Sequence, residues 1–109
     1  MTETEFLDLA DSTLKRIEEA FDRLNDEDVV DVECKRSGNV LEIEFIDSGS
    51  KIIVNSQAPL QEMWVAARSG GFHYKRIDGE WRNTRDDSEF FASLSTYASE
   101  QGGAAVSLV

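Results

Sequence analysis

Between Val30 and Trp81 the chain breaks into short alternating runs separated by turn signals, with no gap wide enough for a crossover helix. Val30, Val32 and Cys34 alternate with Asp31, Glu33 and Lys35, the two-residue period of a half-buried strand. Ser37-Gly38-Asn39 then turns into Leu41, Ile43 and Phe45, which alternate with Glu42 and Glu44. Asp47-Ser48-Gly49 leads into Lys51-Ile52-Ile53-Val54-Asn55. After Pro59, Met63 and Val65 fall on one face of a further strand, with Glu62 and Trp64 on the other. Gly70-Gly71 introduces residues 72–77, and Asp78-Gly79 makes a tight hairpin into Trp81. Parallel neighbours need connections of about a dozen residues or more. These runs lack them, so five or six strands must form an antiparallel meander.

The two flanks carry the helical period instead. From about Glu3 to Leu24, Phe6, Leu9, Ala10, Leu14, Ile17, Ala20, Phe21 and Leu24 recur at three- and four-residue steps. Asp8, Asp11, Glu18, Glu19 and Asp22 fall opposite that stripe. No Gly or Pro interrupts it, and Asn25-Asp26 offers a stop. Near the other end Phe90, Phe91, Leu94 and Ala98 form a second stripe with Tyr97 at its edge. Asp86 or Ser88 is the expected N-cap, Asp86 with Glu89 resembling a capping box, and Gly102-Gly103 ends the helix. Both helices need an apolar face to cover. The expected fold is therefore α+β, a two-layer α/β sandwich in the order α-β(5–6)-α, with both helices on one sheet face and the other face in solvent. Pro59 is the sole proline and no linker composition occurs, so residues 1–109 read as one domain.

Charge narrows the function. Asp plus Glu number 22 against 11 Lys plus Arg, a net charge of −11. Such a field repels nucleic-acid backbones and anionic membrane surfaces. It favours a metal cation or a basic protein partner. Residues 1–33 hold 12 acidic and 3 basic residues, so most of the excess lies on one flank. No apolar run approaches the roughly 18 residues of a membrane span. The N-terminus is acidic, unlike a secretory signal, and the single Cys34 cannot form an internal disulfide. A cytoplasmic protein is expected. One Cys and one His also exclude zinc-finger-like sites.

The candidate functional residues are mostly carboxylates. Glu18, Glu19 and Asp22 on the helix, with Asp26, Glu27, Asp28, Asp31 and Glu33 beyond it, form an acidic ridge. Glu18 and Asp22 are four apart and Asp31 and Glu33 two apart, so each pair shares a face. Hard cations take oxygen ligands, and a carboxylate row could hold them loosely. A merely solvated charged face fits the same pattern. The segment lacks the turn glycine and distal Glu of an EF-hand. Alternation turns His73 to solvent, opposite Phe72 and Tyr74, and turns Cys34 inward as a buried, inert thiol, so the two cannot form a nucleophilic pair. Trp64 falls on the helix-free face, where a large exposed aromatic commonly marks a binding surface; partial burial under a loop or neighbouring side chains fits the same alternation.

Taken in order, Phe6-Leu7-Asp8-Leu9-Ala10-Asp11, Ile17-Glu18-Glu19, Gly49 through Asn55, Pro59-Leu60, Trp64 through Ala67, Gly70-Gly71-Phe72-His73-Tyr74 and Trp81 resemble the frataxin family, bacterial CyaY type, over nearly the whole chain. The resemblance implies two helices against an antiparallel sheet. It also implies a non-enzymatic role in iron–sulfur cluster assembly, with Fe2+ or Fe3+ bound weakly on Glu18, Glu19, Asp22, Asp26, Glu27, Asp28, Asp31 and Glu33. Docking on the cysteine desulfurase and scaffold complex is expected through Glu18, Glu19 and Asp22, with Asn55 and Trp64 matching the family's sheet surface; the metal-free protein is expected to be a monomer. Arg23, Asn25, Glu62 and Arg82 depart from the family pattern. The competing functions are a ferroxidase or iron store on the same carboxylates and a purely electrostatic binder of basic proteins. The first lacks the Glu-x-x-His pattern of tight di-iron sites.

Overall fold

The computed structural model describes residues 1–108. Helix α1, Glu3–Asp26, is followed by strands β1 (Val32–Ser37), β2 (Val40–Phe45), β3 (Ser50–Gln57), β4 (Glu62–Ala67), β5 (Gly70–Ile77) and β6 (Glu80–Asn83), then helix α2, Phe90–Gly102. A short 3-10 turn, Ala58–Leu60, joins β3 to β4. The strands lie in the spatial order β1-β2-β3-β4-β5-β6, every neighbour antiparallel. The turn spacing predicts a meander of five or six strands, and six are present among the described residues.

Local chemistry sets the boundaries. Thr2 caps α1 reciprocally: its hydroxyl accepts the Glu5 N–H at 3.1 Å, and the Glu5 carboxylate accepts the Thr2 N–H at 3.0 Å. At the far end the Asn25 side-chain oxygen accepts the Val32 N–H at 3.1 Å, tying the last turn of α1 to the first residue of β1. Asn25 thus holds the link between helix and sheet. Asp78 and Gly79 both have positive φ, 51° and 81°, as a type I′ hairpin needs.

The start of α2 differs from the sequence expectation. Glu89, not Asp86 or Ser88, is the N-cap, its carboxylate accepting the Phe91 N–H at 2.7 Å and the Ala92 N–H at 3.1 Å. Asp86 instead accepts from the backbone and hydroxyl of Ser88 one turn earlier. The longer Glu side chain spans the extra bond, and a bridge between Glu89 and Arg82 fixes its backbone against β6.

The core lies between the helices and one sheet face. Phe6, Leu14, Ile17 and Phe21 of α1 and Phe90, Leu94 and Ala98 of α2 cover Leu41, Ile43, Ile52, Val54, Met63, Tyr74 and Trp81. Trp81 is buried edge-on to Phe6, and its indole N–H donates to the Thr13 hydroxyl at 3.0 Å. The buried Gln101 amide donates to the Lys51 carbonyl and accepts the Arg68 N–H, joining α2 to β3 and to the β4–β5 turn. Beyond α2 the chain folds back: Val106 and Leu108 are buried, held by the Ser99 and Ser95 hydroxyls. No described helix is long and apolar enough to cross a membrane.

Candidate functional site

Two surfaces carry the residues singled out above. The first runs along α1 and around the edge strand β1. Glu19, Asp22, Asp26, Glu27, Asp28, Asp31 and Glu33 are exposed and Glu18 is half-buried. Among the described residues, only Glu27 of these eight has an ion-pair partner, Arg23 one helical turn back at 4.0 Å. Asp11, farther up the helix, is neutralised: Arg36 from β1 and Lys15 both reach it. The Arg36 hydrogen bond, and then Lys15, hold the Asp11 carboxyl below its ordinary range.

The eight carboxylates do not form one cluster. Val32, Cys34 and Arg36 face α1, whereas Glu33 points to the opposite side of the sheet, where its cross-strand partner is Glu44. The ridge therefore wraps around an edge strand. Among the described residues no three Asp, Glu, His or Cys side chains come close enough to hold a metal ion. The donors are hard oxygens, the chemistry that Fe3+ and other hard cations accept, but spread along a surface.

Cys34 is half-buried rather than buried, because β1 has no strand outside it. Its thiol is pushed up to about 12, first by burial and then by the negative charges of Asp22 and Glu18. It stays protonated at neutral pH. Inertness thus follows from the ridge as well as from burial.

The second surface is the open face of the sheet. Cross-strand register aligns Asn55 with Trp64 and Trp64 with His73. Trp64 is half-buried, stacked on His73 with ring centroids 4.2 Å apart and planes 4° from parallel. Its indole N–H donates to Glu62 at 2.8 Å. Glu62 is only 8% exposed, and His73 and Lys75 approach its carboxylate at 3.5 and 3.7 Å. Asn55 accepts from the Gln57 amide at 2.6 Å. Alternation alone puts Trp64, His73 and Glu62 on this face without joining them. The signal was available: a two-residue turn pairing Ala67 with Gly70 puts Trp64 opposite His73.

An acidic edge and an ordered aromatic patch thus lie on an α+β sandwich of two helices and six antiparallel strands. The chain belongs to the frataxin family: the model for the frataxin-like domain matches residues 1–104. It is 63% identical over 108 residues to the iron-sulfur cluster assembly protein CyaY of Janthinobacterium sp. (strain Marseille), spanning 99% of this chain and 96% of that protein. It is 55% identical over 109 residues to the protein of the same name from Ralstonia nicotianae, spanning 100% and 96%. Among solved structures, the frataxin from Psychromonas ingrahamii superposes with a TM-score of 0.86 at 33% identity, covering 100% of this chain and 99% of that one. A trimeric frataxin from Saccharomyces cerevisiae, in a ferrous complex, shares the fold at TM-score 0.73 and 22% identity, over 86% of this chain and 85% of that one.

Proposed function

We propose that this protein acts in iron–sulfur cluster assembly as a non-enzymatic, cytoplasmic carrier and regulator. The observation that carries the reading is full-length similarity to proteins named for that assembly, on a fold that presents the ridge unblocked. Iron is cargo, taken as Fe2+ or Fe3+ on Glu18, Glu19, Asp22, Asp26, Glu27, Asp28, Asp31 and Glu33. Exposed, mostly unpaired carboxylates suit fast, weak exchange of a hard cation. An oxidase would need converging ligands, and no described trio converges.

Docking on the cysteine desulfurase complex would use Glu18, Glu19 and Asp22 for long-range attraction to a basic surface. The scaffold would meet the open face at Asn55 and Trp64. The Trp64 ring is already immobilised by His73 and Glu62, so binding it loses little side-chain entropy.

The test is an anaerobic ferrous titration followed by NMR, beside a pull-down with the desulfurase. Fast-exchange shifts confined to the ridge, and capture that fades with salt, are the expected results. The triple change Glu18→Lys, Glu19→Lys, Asp22→Lys should abolish capture and leave the fold intact, since all three lie off the apolar stripe. Wild-type capture by that variant at low salt would sink the docking role of the ridge.

A further inference from the structure

A cleft of about 240 Å³ lies between α1, the β5–β6 hairpin and the start of α2, lined by Arg16, Arg76, Glu80, Trp81, Glu89 and Phe91. Arg16 lies over the Phe91 ring at 4.0 Å and Arg76 over the Trp81 ring at 5.4 Å. Stacking fixes a guanidinium plane and leaves the N–H groups at its rim free to donate. Arg23, Arg36 and Arg82 each find a carboxylate. Among the described residues Arg16 and Arg76 do not, nor do Arg68 and Arg85 outside the cleft, in a protein with twice as many acids as bases.

The two carboxylates in the cleft are already engaged. Glu89 caps α2 with both oxygens, and Glu80 pairs with Arg82. With Glu80 and Glu89 so engaged, Arg16 and Arg76 are the lining side chains left to meet a ligand's charge. Guanidinium rims match the paired oxygens of carboxylate and phosphate. A cleft of this size holds about eight waters, room for a small anion, while the net charge of −11 repels an extended polyanion.

The geometry points to a binding site for a small free oxyanion, a phosphate or a polycarboxylate, held between Arg16 of α1 and Arg76 of β5. It does not depend on the iron–sulfur reading. The test is an NMR titration of the arginine Nε–H and Trp81 indole N–H signals at constant ionic strength, with sodium phosphate in one arm and citrate in the other, against chloride. Saturable shifts at Arg16, Arg76 and Trp81 in either arm support the site, and the arm that saturates identifies the anion. Arg16→Gln with Arg76→Gln should abolish saturation. Arg76→Lys keeps the charge and should weaken binding several-fold, and it replaces the double variant if that one fails to fold. Shifts that never saturate, that chloride reproduces, or that survive both the double variant and Arg76→Lys would overturn it.

Discussion

At the scale of single residues, Cys34 gives the sharpest expectation. A thiol at about 12 is thiolate in about one part in ten thousand at pH 8, so alkylation of the folded protein should be very slow. Asp22 and Glu18 contribute to that, so Asp22→Asn with Glu18→Gln should speed alkylation while the melting midpoint holds or rises. Unchanged rates would make burial the sole cause. Trp64 offers a second test. Trp64→Ala removes the Glu62 donor and the His73 stack, and leaving that near-buried carboxylate short of a partner should cost about 1–3 kcal/mol of stability. Truncating the exposed part of the ring should cost about 2 kcal/mol or more of scaffold binding. Trp64→Phe keeps a stack and loses only the N–H, so it should recover part of both. Measured affinity and unfolding free energy together decide it: wild-type binding by Trp64→Ala would remove Trp64 from the docking surface.

At the scale of elements, the last turn of α2 is where propensity and packing oppose each other. Gly102 is helical, and Gly→Ala in a helix gains about 1 kcal/mol from propensity. A Cβ there would sit 2.9 Å from a Val30 methyl and 3.3 Å from the Phe45 ring, and overpacking costs about 1–3 kcal/mol. Packing should win, so Gly102→Ala is expected to lower the denaturation midpoint; a higher midpoint would show that Val30 can move aside. The bond from Arg36 of β1 to Asp11 of α1 gives a pH prediction. The folded-state Asp11 carboxyl is held below its ordinary value, so its stabilisation is present above that value and lost as pH falls through the lowered one. Asp11→Asn should therefore destabilise at pH 7, with the difference closing in strongly acidic solution; a difference independent of pH would exclude the carboxylate charge as its source. These elements also show what could be read in advance. Alternation and turn spacing place the strands, the two helices and the shared helical face, because burial and backbone sterics act within a few residues. The Gln101 link to Lys51 and Arg68, and the docking of Val106 and Leu108, join residues distant in sequence and leave no local pattern. The acidic ridge was legible as composition. That Glu33 faces Glu44 on the far side of the sheet was already implied by strand alternation.

At the scale of the whole molecule, charge opposes folding. A net −11 holds like charges closer in the native state than in the unfolded chain. Among the described residues, Glu18, Glu19, Asp22, Asp26, Asp28, Asp31 and Glu33 have no ion-pair partner to offset this. NaCl should raise the melting midpoint by screening, with most of the gain in place once the Debye length falls to about 10 Å near 0.1 M. At equal ionic strength MgCl2 should raise it further if the ridge binds divalent ions in the native state alone, by as much as about 2.7 kcal/mol at a hundredfold excess over the dissociation constant. For a domain of this length each 1 kcal/mol corresponds to about 4–8 °C, so the added term is measurable even well below saturation. Glu19→Gln with Asp22→Asn removes two exposed charges that have no ion-pair partner among the described residues. That variant should melt higher than wild type without added cations and respond less to MgCl2, because the repulsion it relieves is the same repulsion that a bound cation relieves. Carboxylates kept for binding at some expense of stability produce that pair of results. Equal midpoints in the two salts, or a variant no more stable than wild type, would instead mean that the ridge is a solvated face without preference for cations.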